Sequence, residues 1–548
     1  MSRLAVEDLL ARRSFLVGGF GTAAAIGAFG PALVPSPAPA DDPKVFAHGV
    51  ASGDPLPDAV VLWTRITPSA RARPGSGQGP EVLVTWEVAT DADLVDVVTS
   101  GQATTGPDRD HTVKIDATGL RPATRYWYRF TWGEHESPVG CTTTAPEPDA
   151  TVDHLSIGVV SCANWQAGHF TSYRHLAERD DLDLVVHLGD YLYEYEPGKY
   201  SWGHEWIDVR RHDPPRETVS LEDYRRRHAQ YKTDPDLQAL HARVPWVVTW
   251  DDHEVADGWW SDGAFEHQGS EGSFKARRAA AQRAYDEWMP VRLSGTAQPG
   301  DGVRMYRDLR FGGLVHLSML DLRSYRDDRV GADDPALDDG KRSITGVDQR
   351  EWLLDTLSES SAQWKLVGNP VMMAPVLMPP RPPAERYAMS QVTTLLPLRK
   401  SEPNTDTWAG FRRDRERVLD HVRDERIRDV VFLTGDVHTS WATEVETDDG
   451  TPVAGEFVCP SITSNNIDDF MGTAPRTVSL ALEAAIQDVN PAVRWVNLDE
   501  HGYCVLDVTP ERALMEWYAI SDRRDPDATS TRVASWQVRS GTPAVVPA

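Results

Sequence analysis

The stretch VVHLGDYLYEY, residues 185–195, decides how the chain is read. An apolar run from Val185 to Gly189 leads directly into Asp190, and Tyr191, Tyr193 and Tyr195 follow at once. A run that is apolar at successive positions, not at alternate ones, predicts a strand buried on both faces, as in a parallel sheet covered by helices. Polar residues just past the carboxyl end of such a strand line the functional crevice of an α/β sheet. Asp190 is therefore expected in a site.

Three more apolar runs end in the same way. LSIGVVS (155–161) ends at Cys162 and Asn164, VPWVVTW (244–250) at Asp251, Asp252, His253 and Glu254, and DVVFLTG (429–435) at Asp436 and His438. Asp, Ser and Asn also begin helices as caps, and a buried cysteine is usually packing. Together, however, a thiol, several carboxylates, a phenol and two imidazoles form a mixture that capping does not require and metal coordination does. Thiolate and phenolate favour a Lewis-acidic ion such as ferric iron, whereas the aspartates suit Ca²⁺, Mg²⁺ or Mn²⁺. Two unlike ions are expected, bridged by Asp190, with Tyr193 turning back onto one of them. Tyr191 and Tyr195 read as packing.

The 548 residues exceed what one core usually serves, so at least two domains are expected. Fifty-six basic against 83 acidic side chains give a net charge of −27, which argues against binding nucleic acid through phosphate neutralisation. Arg12 and Arg13 precede an apolar, glycine-rich run that closes with Ala38, Pro39 and Ala40, the pattern of a cleaved export signal over residues 1–40. Residues 45–145 alternate short apolar runs with Gly, Pro and Asp, which predicts an all-β sandwich domain. Beyond a Pro- and acid-rich linker, residues 155–522 alternate strands with helical segments, an α/β pattern. Residues 523–548 are polar and read as a tail packed only in part. The run Arg225-Arg226-Arg227-His228 reads as a solvated helix face. Cys141, Cys162, Cys459 and Cys504 show no CxxC pairing.

SCANW, GDYLYEY, TWDDHEV and GDVHTSW, in this order, resemble the motifs of PhoD-type alkaline phosphatases among the purple-acid-phosphatase-like metallophosphatases. LDLRSYR, WKLVGNPVMM and FVCPSITS extend the resemblance over nearly all of the chain after residue 40. In addition, GLRPATRYWYRF resembles the late strands of a fibronectin type III module, and Arg12-Arg13-Ser14-Phe15-Leu16 resembles a twin-arginine signal. The family resemblance implies an α/β fold: an αββα metallophosphatase sandwich preceded by an all-β, fibronectin-III-like domain. It implies a ferric ion held by Cys162, Asp190, Tyr193 and His438, and one or two calcium ions sharing Asp190 with Asp252 and Asp436. Asp257, where some members carry asparagine, and Asn369, before Pro370, are further candidate ligands. His253 takes the catalytic position, while Asn164 and Arg323 are candidates for contacting phosphate.

The expected activity is hydrolysis of phosphate monoesters and diesters by a metal-bound hydroxide, for phosphate scavenging outside the cell after export by the twin-arginine machinery. Two other readings stay open. One is phospholipase D activity on phospholipids at the same site; the other is an exported adhesion module acting through the sandwich domain.

Overall fold

Leu184–His187 forms a four-residue strand, parallel to Leu155–Val160 on one side and to Trp246–Val248 on the other. The structure, a computed structural model, describes residues 44–200, 209–293, 304–377 and 404–548. The run read as an export signal lies outside the described residues. Leu184 and Val186 face a second sheet and Val185 faces helices, so both sides are dry and the run is apolar throughout.

The second sheet has a parallel centre of Val315–Met319, Trp364–Asn369, Val430–Thr434 and Pro452–Val458. Ile157, Val159 and Val186 of the first sheet pack on Leu317, Leu366 and Leu433 of the second. Each such side chain contributes about 1.5–3 kcal/mol on burial. Helices Thr171–Ala177, Leu221–Tyr231, Pro235–Arg243 and Phe274–Trp288 cover the outer face of the first sheet. Val347–Glu359 and Arg412–Asp424 cover the second. The result is the expected αββα sandwich.

The β-sandwich that precedes it shares one of its layers with this catalytic sheet. Val50–Gly53, Ala59–Arg65 and Thr112–Thr118 continue the first sheet beyond Trp246–Val248, bringing it to ten strands. Val82–Ala89, Val97–Thr105, Arg125–Trp132 and Gly140–Thr143 belong to the facing sheet. At the junction a Cβ on Gly53 would lie 2.0 Å from the carbonyl oxygen of Pro290, so glycine is required there.

The C-terminal segment departs from expectation. Ser530–Arg539 and Val545–Pro547 form the last two strands of the ten-stranded sheet, and Val538 and Val545 enter the central core. Ala534, Trp536 and Val538 point inward at period two, a signal diluted by the polar residues between them. The Arg225–His228 run also departs from expectation. Arg225 makes a bidentate pair with Glu287, the Arg227 guanidinium donates to the Tyr193 carbonyl, and His228 is fully buried; Arg226 remains the half-exposed member.

Behind the first sheet, Lys232 is buried with its Nζ 3.0 Å from His241 Nε2 and over the rings of Trp63 and Tyr191. Burial holds its pKa well below the ordinary lysine value. The unfolded chain then binds a proton that the native state does not, so this group makes stability rise with pH, from the depressed native pKa up to about 10.4. The slope it contributes is about 1.4 kcal/mol per pH unit. Lys232→Met should therefore be more stable than wild type in denaturant titrations at pH 7, with the advantage shrinking towards pH 10. A constant difference across that range would show that the amine is charged in the native state.

Candidate metal centre

Four of the expected ligands leave their strands with left-handed backbone: Cys162 at φ +60°, Asp190 at +56°, Asp436 at +66° and His438 at +56°. For a non-glycine residue this costs about 1–3 kcal/mol and persists only where the surroundings enforce it. The turn is what lets side chains from separate strands converge. Cys162 N donates to the Gly189 carbonyl and Ala163 N to the Asp190 carbonyl, at 3.2 and 2.9 Å, so the first two strand ends hold each other. Gly189 has φ +105°, and a Cβ there would stand 2.5 Å from Asp251 Cβ; the GD pair is thus a packing requirement as well as a turn.

Glu254 ties two strand ends together. Its buried carboxylate accepts from Asp190 N at 3.1 Å, Tyr191 N at 2.7 Å and Asp251 N at 2.9 Å. Burial lifts its pKa to about 7.

The side chains form three overlapping groups: Cys162, Asp190 and His438; Asp190, Asp252 and His253; Asp251, Asp252 and Asp436. Within each group, ligand atoms lie within 4.8 Å of one another. Tyr193 joins the first group, its hydroxyl donating to Asp190 Oδ2 at 3.0 Å and standing 3.1 Å from His438 Nε2. His438 Nδ1 lies 2.8 Å from the Asn465 carbonyl, a bond that requires Nδ1–H and leaves Nε2 as the nitrogen open to a metal. Asp190 belongs to two groups, as a bridging carboxylate must.

Electrostatics test the fit to a cation. Burial, reinforced by neighbouring negative groups, pushes Asp190, Asp436, the Cys162 thiol and the Tyr193 phenol well above their ordinary pKa values, and burial pulls His438 down to about 3. Asp252 is the exception: burial raises it, but Arg323 and His253 hold it below the usual carboxylate range. Asp252 Oδ1 and Asp436 Oδ2 are buried without a hydrogen-bond partner. Anionic donors crowded in a dry crevice, with oxygens left over, suit bound metal ions.

Asn164 acts as a cap and keeps a donor free. Its Oδ1 caps the 3₁₀ turn Trp165–Ala167 through Gln166 N at 2.9 Å, while its buried Nδ2 has no protein partner and is free to donate. Asp257 stands outside the three groups, its Oδ2 accepting from Tyr195 OH at 2.7 Å. Two candidates are corrected. Asn369 Oδ1 accepts from Trp408 Nε1 at 2.8 Å and its Nδ2 donates to Val371 O and Thr434 Oγ1, which fixes the end of its strand and commits the amide to scaffolding. Arg323 is fully buried, bidentate to Asp251 and 3.2 Å from Asp406, so its guanidinium balances carboxylates instead of facing substrate. Glu194 and Glu254 also sit among these side chains; the one signal for them in the sequence is their place inside GDYLYEY and TWDDHEV. All four cysteines are free thiols.

Comparison with known proteins finds matches over most of the chain. Residues 157–517 match the family described as PhoD-like phosphatase, and residues 32–146 match its N-terminal domain. Alkaline phosphatase D of Bacillus subtilis (strain 168) is 37% identical over 505 residues, covering 90% of this chain and 80% of the relative. A solved structure described as "Structure of PhoD" superposes with a TM-score of 0.82 at 34% identity, over 93% of each chain.

Because a coordinating thiol and phenol must lose their protons, metal added to the metal-free protein in weak buffer at pH 8 should release protons. Indicator-dye titration should show this release, diminished in Cys162→Ser and in Tyr193→Phe. Metal uptake with no proton release would mean that neither group coordinates.

Proposed function

From the premise that this chain belongs to the PhoD-like phosphatase family and is a metal-dependent phosphoric ester hydrolase, we propose that it hydrolyses phosphate monoesters and diesters with a ferric ion and calcium. The observation that carries the metal assignment is Asp190. It groups on one side with Cys162, Tyr193 and His438, a set soft and phenolic enough for Fe³⁺, and on the other with Asp252, which groups in turn with Asp436 to offer hard oxygens suited to Ca²⁺.

Cations held there supply Lewis-acid polarisation of phosphoryl oxygen and of water. The chain's own groups supply the rest. Asn164 Nδ2 is a donor for a phosphoryl oxygen. His253, at the edge of the Asp190 and Asp252 group, hydrogen-bonds the phosphoryl group or protonates the leaving oxygen. Glu254, through its three backbone hydrogen bonds, keeps Asp190 and Asp251 in register with the crevice.

The twin arginines Arg12 and Arg13 ahead of an apolar run support export by the twin-arginine route, with phosphate scavenging outside the cell as the use of the activity. Among the described residues no helix is long and apolar enough to cross a membrane.

Elemental analysis of the purified protein should find iron near one per chain together with calcium. His253→Ala should lower kcat on an alkyl phosphate by about 10²–10⁴-fold with metal content unchanged; loss of metal in that variant would make His253 a ligand. Release of choline from phosphatidylcholine faster than hydrolysis of p-nitrophenyl phosphate would replace the proposed substrate class with phospholipids. Replacing Arg12 and Arg13 with lysine should retain the protein inside the cell, as followed by fractionation.

A further inference from the structure

Glu194 follows the Tyr193 phenol in sequence and is fully buried. Both of its carboxylate oxygens are committed. Oε2 lies 2.8 Å from His253 Nδ1, and Oε1 accepts the backbone N–H of Asp257 at 2.6 Å. His253 is the ion partner of this carboxylate among the described residues.

Phenol rings confine the same imidazole. It stacks on Tyr193 at 4.1 Å between centroids and 28° between planes, with Tyr195 at 5.4 Å and Tyr200 at 6.2 Å around it. Stacking fixes the plane of the ring but leaves it free to flip, and the carboxylate at Nδ1 removes that freedom. A carboxylate also accepts without donating, so its partner nitrogen must carry a proton. Nε2 is then the nitrogen that faces the site, 3.9 Å from Asp252 Oδ1.

We propose that Glu194 is the positioning residue for His253: it fixes a proton on Nδ1 and directs Nε2 at the leaving oxygen of the ester. The inference rests on the phosphate-ester reading above. In the step it serves, the oxygen of a water bonds to phosphorus and its hydrogens stay with the phosphate product, while the ester P–O bond breaks and its electron pair stays with the leaving oxygen. The proton on Nε2 passes to that oxygen, and Nδ1–H remains bonded to Glu194.

Glutamine is the discriminating replacement, because it offers one acceptor and one donor where two N–H groups need acceptors. Glu194→Gln must therefore lose either the His253 bond or the Asp257 bond. Its effect is read against leaving-group quality. An alkyl phosphate needs protonation of its leaving oxygen and p-nitrophenyl phosphate hardly does, so kcat should fall at least tenfold more for the alkyl ester, with KM and metal content unchanged. His253→Ala should show the same discrimination.

A second readout is independent of catalysis and of the variant's folding. ¹⁵N spectra of the metal-free wild-type protein should show His253 protonated at Nδ1 across the pH range in which it stays folded. An unprotonated Nδ1 in wild type overturns the proposal, as does an equal loss on both esters in Glu194→Gln. If His253→Ala itself shows no leaving-group dependence, the parent assignment of His253 has failed, and the positioning role falls with it.

Discussion

Negative groups confined to a crevice with little water are the constraint on which this structure turns. Asp190, Asp252 and Asp436 come together with a thiol and a phenol at the ends of buried strands. An unpaired carboxylate in such a place costs several kcal/mol, and among the described residues Arg323 and His253 are the cations within the groups' reach. Arg323 cannot balance the whole set, because Asp251 and Asp406 already hold it. The left-handed backbone at four candidate ligands follows from the same constraint, since ordinary strand geometry would send neighbouring side chains to opposite faces. Cation binding relieves crowding that the backbone has been bent to create.

Two buried glutamates support this arrangement from behind. Glu254 gathers amides from two strand ends, and Glu194 gathers an imidazole and an amide from the loop after the third strand. In both, a carboxylate organises its surroundings by accepting several hydrogen bonds. Arg227 acts in the complementary sense: it donates to the Tyr193 carbonyl and so fixes the residue that carries the phenol.

The strand ends were legible in the sequence because a strand dry on both faces leaves a continuous apolar run, and an aspartate, cysteine or histidine breaking it is conspicuous. Cys162, Asp190, Tyr193, Asp252, Asp436 and His438 all came from that contrast, sharpened by the order of the motifs. What was missed depended on partners distant in sequence. Arg323 and Asn369 stand in polar motifs after apolar runs just as the candidate ligands do; their bonds to Asp251 and Trp408, distant in sequence, engage them in the scaffold. The basic run at Arg225 looked solvated because Glu287 and the carbonyl groups that satisfy it lie elsewhere in the sequence. The final strands escaped for a similar reason: mostly polar text becomes sheet only because Arg512–Ile520 offers an edge to pair with.

The order of strands in the first sheet bears on how the chain acquires its structure. Leu155–Val160 has Leu184–His187 on one side and Gly502–Val508 on the other, a neighbour some 350 positions later in the chain. During synthesis that flank stays without its partner until nearly the whole polypeptide has emerged, and its unpaired edge is open to association with other chains meanwhile. Contacts of such sequence separation close slowly, because the loop entropy must be overcome before the pairing rewards it. The sheet that carries Cys162 and Asp190 is therefore completed late, and the site takes shape close to the end of folding.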